Sequence, residues 1–190
     1  TAIKAKSLLP PNAPINVIMT INAGKLPEGH WLYDNKNGGG RIVGEACHFF
    51  DLMSYFTGSA ITSVFATEAP VTNQTENTII HLKYANGSHG TIHYLSNGSK
   101  KYPKEKIEIF AADSVIVIDN FKSINTYGTR KSLHLPGTQD KGHEQQFKTM
   151  SHLIQTGGVH YNTFESLINT TLATFAVDGS ISSGNAVQIL

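Results

Sequence analysis

The 190 residues carry fifteen basic and fourteen acidic side chains, so the chain lacks the basic excess typical of nucleic-acid-binding proteins. A single cysteine excludes an intramolecular disulfide, and no apolar run approaches the roughly 20 residues that a membrane-spanning helix needs. At this length one domain can bury a sizeable core without cross-links. We therefore expect a soluble, cytoplasmic protein with no nucleic-acid or membrane partner.

The N-terminal part predicts a short helix, a buried strand and a long loop. Residues 2–9 have helical periodicity that ends at two prolines. The β-branched and apolar run 15–21 predicts a largely buried strand. A polar loop over residues 25–37 follows it.

A run of three glycines, residues 38–40, precedes a helical pattern that begins at Glu45 and ends at Gly58. Consecutive glycines are entropically costly and are kept where the backbone takes unusual dihedral angles or lets another group approach closely. His48 lies in the predicted first turn of this helix. The combination predicts a functional site at this point of the chain.

The clearest hairpin of the sequence surrounds an Ala-Asn-Gly turn. A two-residue turn would mix polar and apolar residues on each face of the hairpin. A three-residue loop with Gly87 in the αL conformation instead pairs Ile80 with Ile92 and Tyr84 with Ser88, and it keeps one face apolar. We therefore predict the three-residue loop.

The other elements complete the prediction of the fold. Strands are predicted at 61–68 and, as two strands joined by a turn, within 106–121. Helices are predicted at about 142–156 and 163–179, and Asn162 with Glu165 resembles a capping box at the start of the second. Helices at the ends and strands in the middle predict an α+β domain: a mostly antiparallel open sheet with helices packed on one face. A partner subunit is the simplest cover for the other face.

His48 is the leading candidate for acid–base chemistry, because a ligand can reach it past the glycines. Glu45 precedes it by three residues on the same helical face and could orient it or hold a proton. The alternative is a packed or capping histidine without a catalytic role.

Four further residues are candidates for substrate binding. Trp31 could stack on a ligand or anchor its loop to the core, and His30 and Asp34 lie in the same loop. Lys141 precedes a helix and could bind an anionic or hydroxyl-rich ligand, or simply be solvated. The nine histidines lack metal-site spacing, so we expect no metal site. The chain also has no dinucleotide-binding fingerprint.

The segment HWLYDNKNGGGRIVGEACHFFDLMSYFTGS resembles the central motif of the Gfo/Idh/MocA family of NAD(P)-dependent oxidoreductases, in which a Gly-Gly-Gly stretch leads to Asp-x-x-x-His on a helix. The segments INAGKLPEGHW, YANGSHGTIHYLSNG, QDKGHEQQF and NTTLATFAVDGS are similar to its inositol-dehydrogenase-like subgroup of sugar and surface-polysaccharide metabolism. The resemblance covers nearly the whole chain, but only the C-terminal half of the family.

This resemblance implies a fold like the C-terminal domain of glyceraldehyde-3-phosphate dehydrogenase. Residues 1–9 would be the remnant of a connecting helix from a missing N-terminal Rossmann domain, and residues 10–190 the substrate-binding and dimerisation domain. The missing domain would bind NAD or NADP, so this fragment alone is expected to be inactive. The open sheet face would form a homodimer or tetramer.

The resemblance also implies roles for the site residues. The family histidine falls on His48, which would take the hydroxyl proton as hydride leaves the same carbon for nicotinamide. The family aspartate falls on Gly44, and Glu45 is the nearest carboxylate. The residues His30, Trp31 and Asp34 match a substrate-side segment.

The function predicted on this basis is hydride transfer between nicotinamide and a hydroxyl carbon of a sugar, nucleotide sugar or cyclitol. One alternative is an NAD-dependent glycosidase of the same fold. Another is a catalytically silent sugar-sensing or assembly module, which the glycine at position 44 keeps open.

Overall fold

The computed structural model describes residues 1–11, 13–34, 37–72, 75–128, 134–158 and 162–189. The α-helices are α1 (Ala2–Ser7), α2 (Cys47–Thr57), α3 (His143–Thr156) and α4 (Phe164–Ser183), with a 3-10 turn at Trp31–Tyr33 and a π-helical turn at Ile42–Ala46. The strands are β1 (Asn16–Asn22), β2 (Ile61–Thr72), β3 (Thr75–Tyr84), β4 (His89–Leu95), β5 (Glu105–Ala111), β6 (Ser114–Asp119), β7 (Ser123–Tyr127), β8 (His134–Pro136) and β9 (Val187–Gln188).

The strands form one nine-stranded sheet in the order β8-β7-β6-β5-β1-β4-β3-β2-β9. Strand β1 lies between β4 and β5, parallel to β4 and antiparallel to β5. The other described pairs are antiparallel. The predicted α+β fold with a mostly antiparallel open sheet is confirmed.

Side-chain alternation along the strands separates a buried face from an open one. In β1 the residues Val17, Met19 and Ile21 are buried, whereas Ile18 between them is exposed. Helix α4 packs on β2 and on α2. A β-carbon on Gly90 of β4 would overlap the sulfur of Met53, which shows how closely α2 lies on the sheet. Helices therefore cover one face, as predicted.

The predicted hairpin register is also confirmed. Ile80 pairs with Ile92, the Tyr84 amide donates to the Ser88 carbonyl over 3.0 Å, and Gly87 has a φ of +84°. The register follows from keeping one apolar face on the core, since a slip of one residue would expose it.

Three details differ from the sequence predictions. The helical backbone before α2 starts earlier, in the π-turn, so His48 is not in a first turn. Thr163 caps α4 in place of Asn162, with its hydroxyl accepting from the Ser166 amide over 3.2 Å. Helix α3 buries none of its residues, and Phe147 on its predicted apolar side is exposed. Of the predicted loop 25–37, residues 35 and 36 lie outside the described residues.

None of the helices in the described residues combines the length and the apolar character that crossing a membrane requires.

Candidate functional site

The glycine run permits a close approach between two turns of the backbone. A β-carbon on Gly38 would overlap the carbonyl of Trp31, and one on Gly44 would overlap the side chain of Leu32. Gly39 and Gly40 have φ angles of +67° and +76°, which other residues rarely adopt. The glycines therefore let the 3-10 turn pack directly against the π-turn. This close packing explains why three consecutive glycines occur at this point of the sequence.

The π-helical turn Ile42–Ala46 leads without a break into α2. Single π-turns are rare and often occur at functional sites. His48 is the second residue of α2 and is exposed to solvent, with its Nδ1 4.0 Å from the sulfur of Cys47. The imidazole is thus accessible at the point where the π-turn changes the helix geometry.

Glu45 has three partners, and two of them, Tyr94 and Lys104, connect the π-turn to the sheet. Arg41 donates to Oε2 from Nη2 over 2.9 Å, and the Tyr94 hydroxyl donates to the same oxygen over 2.5 Å. The ammonium of Lys104 lies 3.1 Å from Oε1. Tyr94 comes from β4 and Lys104 precedes β5, so the carboxylate connects strands on both sides of β1.

Arg41 and Tyr94 are the buried members of this network, and the side chain of Arg41 is 0% exposed. Its Nη1 donates to the Gly24 carbonyl over 2.6 Å, and its guanidinium lies 5.2 Å from the centre of the Tyr94 ring. A buried guanidinium without a counter-charge is strongly destabilising, so Glu45 is needed for the charge balance of the core at this point.

The pKa values follow from these contacts. Partial burial alone would raise the pKa of Glu45, but the hydrogen bonds from Tyr94, Arg41 and Lys104 outweigh it and lower the pKa to about 2. Burial, and then the hydrogen bond to Glu45, raise the pKa of Tyr94 well above its usual value. Glu45 therefore stays ionised at neutral pH, and its two oxygens are occupied by neighbours other than His48.

The predicted substrate loop lies against the glycines. The His30 Nδ1 accepts from the Leu32 amide over 3.3 Å, and its ring lies 5.9 Å from that of Trp31. Trp31 is 57% exposed, and the carboxylate of Asp34 accepts from the Asn37 side chain over 2.6 Å. The 3-10 turn thus fixes Leu32 in the core and presents Trp31 to solvent next to the π-turn.

Lys141 lies at the same edge of the sheet. Its ammonium is 2.7 Å from Oε1 of the buried Glu105 and 5.9 Å from the centre of the Phe121 ring. Glu105 directly follows Lys104, so this second ion pair adjoins the Glu45 network. The structure therefore places Lys141 at the edge of the candidate site, where its ammonium is already paired with the carboxylate of Glu105.

Three members of the network, Arg41, Tyr94 and Lys104, were missed by the sequence analysis. The spacing of Arg41 and Glu45 is a detectable signal, because i and i+4 residues meet on a helix. Tyr94 stands on the buried side of the predicted hairpin, where a hydroxyl needs a partner. Lys104 carries no local signal, since its position depends on the pairing of β1 with β5.

Among the residues that the structure describes, there is no group of three or more histidine, cysteine, aspartate or glutamate side chains arranged to hold a metal ion.

Comparison with known proteins places the chain in a family. Residues 13–117 match the profile of the GFO/IDH/MocA C-terminal domain. A search of curated protein sequences finds no match.

Solved structures share the fold at low sequence identity. Aldose-aldose oxidoreductase from Caulobacter crescentus in complex with glycerol is 14% identical with a TM-score of 0.80, over 99% of this chain and 60% of its own. UDP-N-acetylglucosamine 3-dehydrogenase GnnA from Acidithiobacillus ferrooxidans is 14% identical with a TM-score of 0.76, over 96% and 58%. GenD2 from gentamicin A biosynthesis, in complex with NAD, is 15% identical with a TM-score of 0.76, over 100% and 60%.

The chain thus spans about three fifths of the length of these structures. The family profile matches more than half of the chain. The chain therefore belongs to the GFO/IDH/MocA family, and the matched residues are its C-terminal domain.

Proposed function

We propose that this chain is the substrate-binding part of an NAD(P)-dependent oxidoreductase that acts on a hydroxyl carbon of a sugar, nucleotide sugar or cyclitol. In this proposal residues 1–9 are the end of a connecting helix from a dinucleotide-binding domain, and residues 10–190 are the substrate domain. Family membership supports it, as does the NAD bound in one structural neighbour.

The observation that carries the proposal is the accessible imidazole of His48 on α2, directly after a turn that Glu45 holds to the sheet. Its Nε2 makes no hydrogen bond with the described residues, so a substrate hydroxyl could donate to it. Glu45 holds the preceding turn to the sheet and has no proton to give at neutral pH. His48 would therefore be the acid–base group, and Glu45 would position it.

The chemistry divides between this chain and the cofactor. Nicotinamide, when bound, supplies the hydride acceptor. The described residues lack a glycine-rich strand–turn–helix that would hold a dinucleotide, so we assign cofactor binding to the other domain. As hydride leaves the carbinol carbon, the hydroxyl proton passes to His48 and the carbon becomes a carbonyl. In the reverse direction His48 returns the proton to the forming hydroxyl.

The test is substitution of His48 in the polypeptide that joins this chain to its dinucleotide-binding domain. We expect His48→Ala to lower kcat by about 10²-fold to 10⁴-fold with an unchanged circular dichroism spectrum, because the side chain is exposed. His152→Ala, at an exposed histidine of α3, is the control and should leave kcat unchanged. Full activity of His48→Ala would contradict the mechanism.

A second candidate function is a catalytically silent sugar-binding or assembly module. The family's aspartate position is occupied by Gly44, and Leu32 fills the space that a β-carbon would need there. Because an aspartate does not fit at this position, the structure favours a module without catalytic activity. A silent module would bind sugar but would show no nicotinamide-dependent turnover of any sugar or cyclitol in a broad panel. The unmodified protein and His48→Ala would then give the same result.

We also propose that a second copy of the chain covers the open sheet face. This face exposes apolar side chains, among them Ile18, Phe65, Ile79 and Phe110. Nine strands about 4.8 Å apart, with a mean length of roughly 20 Å, give an area on the order of 800 Å², which matches what one partner contributes to a stable interface.

Light scattering after size exclusion tests this assembly. The unmodified chain should have the mass of a dimer or tetramer, and Ile79→Lys should yield monomers. Phe147→Lys changes an exposed apolar residue of α3 instead and should leave the mass unchanged. A monomeric unmodified chain would refute the interface.

We also propose a cytoplasmic location. The chain has one free cysteine, which suits a reducing compartment, and this location accords with the proposed reaction.

A further inference from the structure

Helix α3 exposes its apolar side to solvent. Phe147, Met150 and Ile154 follow one another at helical spacing and form one stripe, in which they are 76%, 51% and 77% exposed. A helix at the surface of a domain normally turns such a stripe towards the core. None of the residues of α3 is buried, so within the described part of the chain nothing covers this stripe.

The area of the stripe and the length of the helix both indicate a packing partner. The three side chains together expose on the order of 400 Å², and apolar patches of this size usually mark an interaction surface. A helix of 14 residues is only marginally stable in water when it packs on nothing. Helix α3 therefore gains stability from a surface that covers the stripe.

Residue 1 lies beside the start of α3. The Thr1 hydroxyl donates to the Phe121 carbonyl over 3.1 Å, and the Asp140 amide donates to the same carbonyl over 3.4 Å. Asp140 precedes His143, the first residue of α3, by three positions. A segment that precedes Thr1 therefore enters the structure next to the N-terminal end of α3.

The proposed function supplies such a segment, because it places a dinucleotide-binding domain before residue 1. About two fifths of the length of each of the three solved structures described above lies outside the part that this chain matches. That share corresponds to roughly 125 residues, and a domain of this size has a radius of about 18 Å. Helix α3 is about 21 Å long, so a domain joined at Thr1 can extend along all of it.

We propose that the apolar stripe of α3 docks on the dinucleotide-binding domain of the same polypeptide. The inference rests on the proposed function, since that function supplies the domain. Interfaces between domains of one chain bury about 600–1,500 Å², and a contribution of about 400 Å² from the stripe fits this range. A second copy of the chain is a less suitable occupant, because the segment before Thr1 already adjoins the start of α3.

Docking on α3 also connects the cofactor domain to the candidate site. Lys141 precedes α3 by two residues, and its ammonium is paired with Glu105 at the edge of that site. The helix therefore links the position of the docked domain to the strand end that carries Glu105.

Hydrogen exchange of the complete polypeptide, followed by mass spectrometry, tests the docking. We expect the amides of α3 to exchange about 100-fold or more slower than in an unstructured peptide of the same sequence, because only a docked helix of this length stays closed. Phe147→Lys and Ile154→Lys should each reduce this protection by about tenfold or more. Lysine forms helices at least as well as phenylalanine or isoleucine, so the loss would report docking and not helix propensity.

Gln145→Lys is the matched control. Gln145 is exposed on the opposite side of the same helix, and the substitution adds the same charge. The protection of α3 in this variant should equal that of the unmodified polypeptide. In all three variants the amides of β1 and β5 should remain as protected as before, since the substituted side chains lie outside the core.

Two results would overturn the inference at once: fast exchange of α3 in the unmodified polypeptide, and full protection of α3 in both stripe variants. Protection that disappears on dilution would assign the stripe to a second copy and would also overturn it, because docking within one polypeptide does not depend on concentration. Failure of the proposed function gives a different result. The unmodified polypeptide then transfers no hydride, and the docking still stands if α3 is protected.

Discussion

Glu45→Gln removes one charge from the network that holds the π-turn and leaves the side-chain shape almost unchanged. The pKa of Glu45 falls from 4.5 to about 2 in the folded chain. Each pKa unit corresponds to about 1.4 kcal/mol, so ionised Glu45 contributes at most about 3.5 kcal/mol of folding free energy. The variant also leaves Arg41 buried with one neutral acceptor in place of a carboxylate. We expect Glu45→Gln to lower the free energy of unfolding at pH 7 by about 3 kcal/mol.

Urea unfolding followed by circular dichroism measures this difference. With a slope of about 2 kcal/mol per molar urea, the midpoint should fall by about 1.5 M. Glu108→Gln is the matched control, because Glu108 meets only the partly exposed Lys106 over 3.0 Å. Its cost should stay below about 1 kcal/mol.

The pH dependence gives an independent check. A carboxylate with a lowered folded-state pKa stabilises the fold above its unfolded pKa, and this stabilisation is lost as the pH falls through the folded value. The difference between the unmodified chain and Glu45→Gln should therefore be full above pH 4.5 and shrink towards pH 2. A cost at pH 7 no larger than that of Glu108→Gln would refute the reasoning.

Two further substitutions probe the local geometry. Gly44→Ala should destabilise the fold by about 1–3 kcal/mol in urea unfolding, because the new methyl group overlaps Leu32. A β-carbon on Gly179 of α4 would lie 3.7 Å from Cγ2 of Val187, which is an ordinary contact, so Gly179→Ala should be neutral or stabilising. Equal changes in the free energy of unfolding for Gly44→Ala and Gly179→Ala would reject the steric argument. Thr163→Ala removes the cap of α4 and should cost about 1 kcal/mol and lower Tm, whereas Thr163→Ser should keep the stability. An unchanged Tm for Thr163→Ala would show that the cap contributes nothing.

Local patterns were sufficient to predict most of the fold. The alternation around Ile80 and Ile92 specified the hairpin register, and the glycine at position 58 specified the end of α2, where it has a φ of +66°. Both features depend on residues close in the chain, so the sequence pattern carries them directly.

The candidate site was predicted only in part. His48 and the glycines were found, but the π-turn was not, because its stability depends on the burial of Arg41 against Glu45 and Tyr94. The contact of Lys104 with Glu45 requires β5 to lie beside β1, and no short pattern encodes that pairing. Contacts between distant segments therefore account for what was missed.

The position of β1 has a consequence for how the molecule folds. Strands β2, β3, β4 and β9 form one half of the described sheet and β5 to β8 the other, and β1 joins them. Ile15 and Ser88, which hydrogen-bond beside it, are 73 residues apart, so loop closure over long distances must precede this step and slow it. Tyr94 and Lys104 belong to opposite halves and meet on one carboxylate only after β1 is inserted. We therefore expect the π-turn that precedes His48 to be among the last parts of the chain to gain protection from hydrogen exchange during refolding.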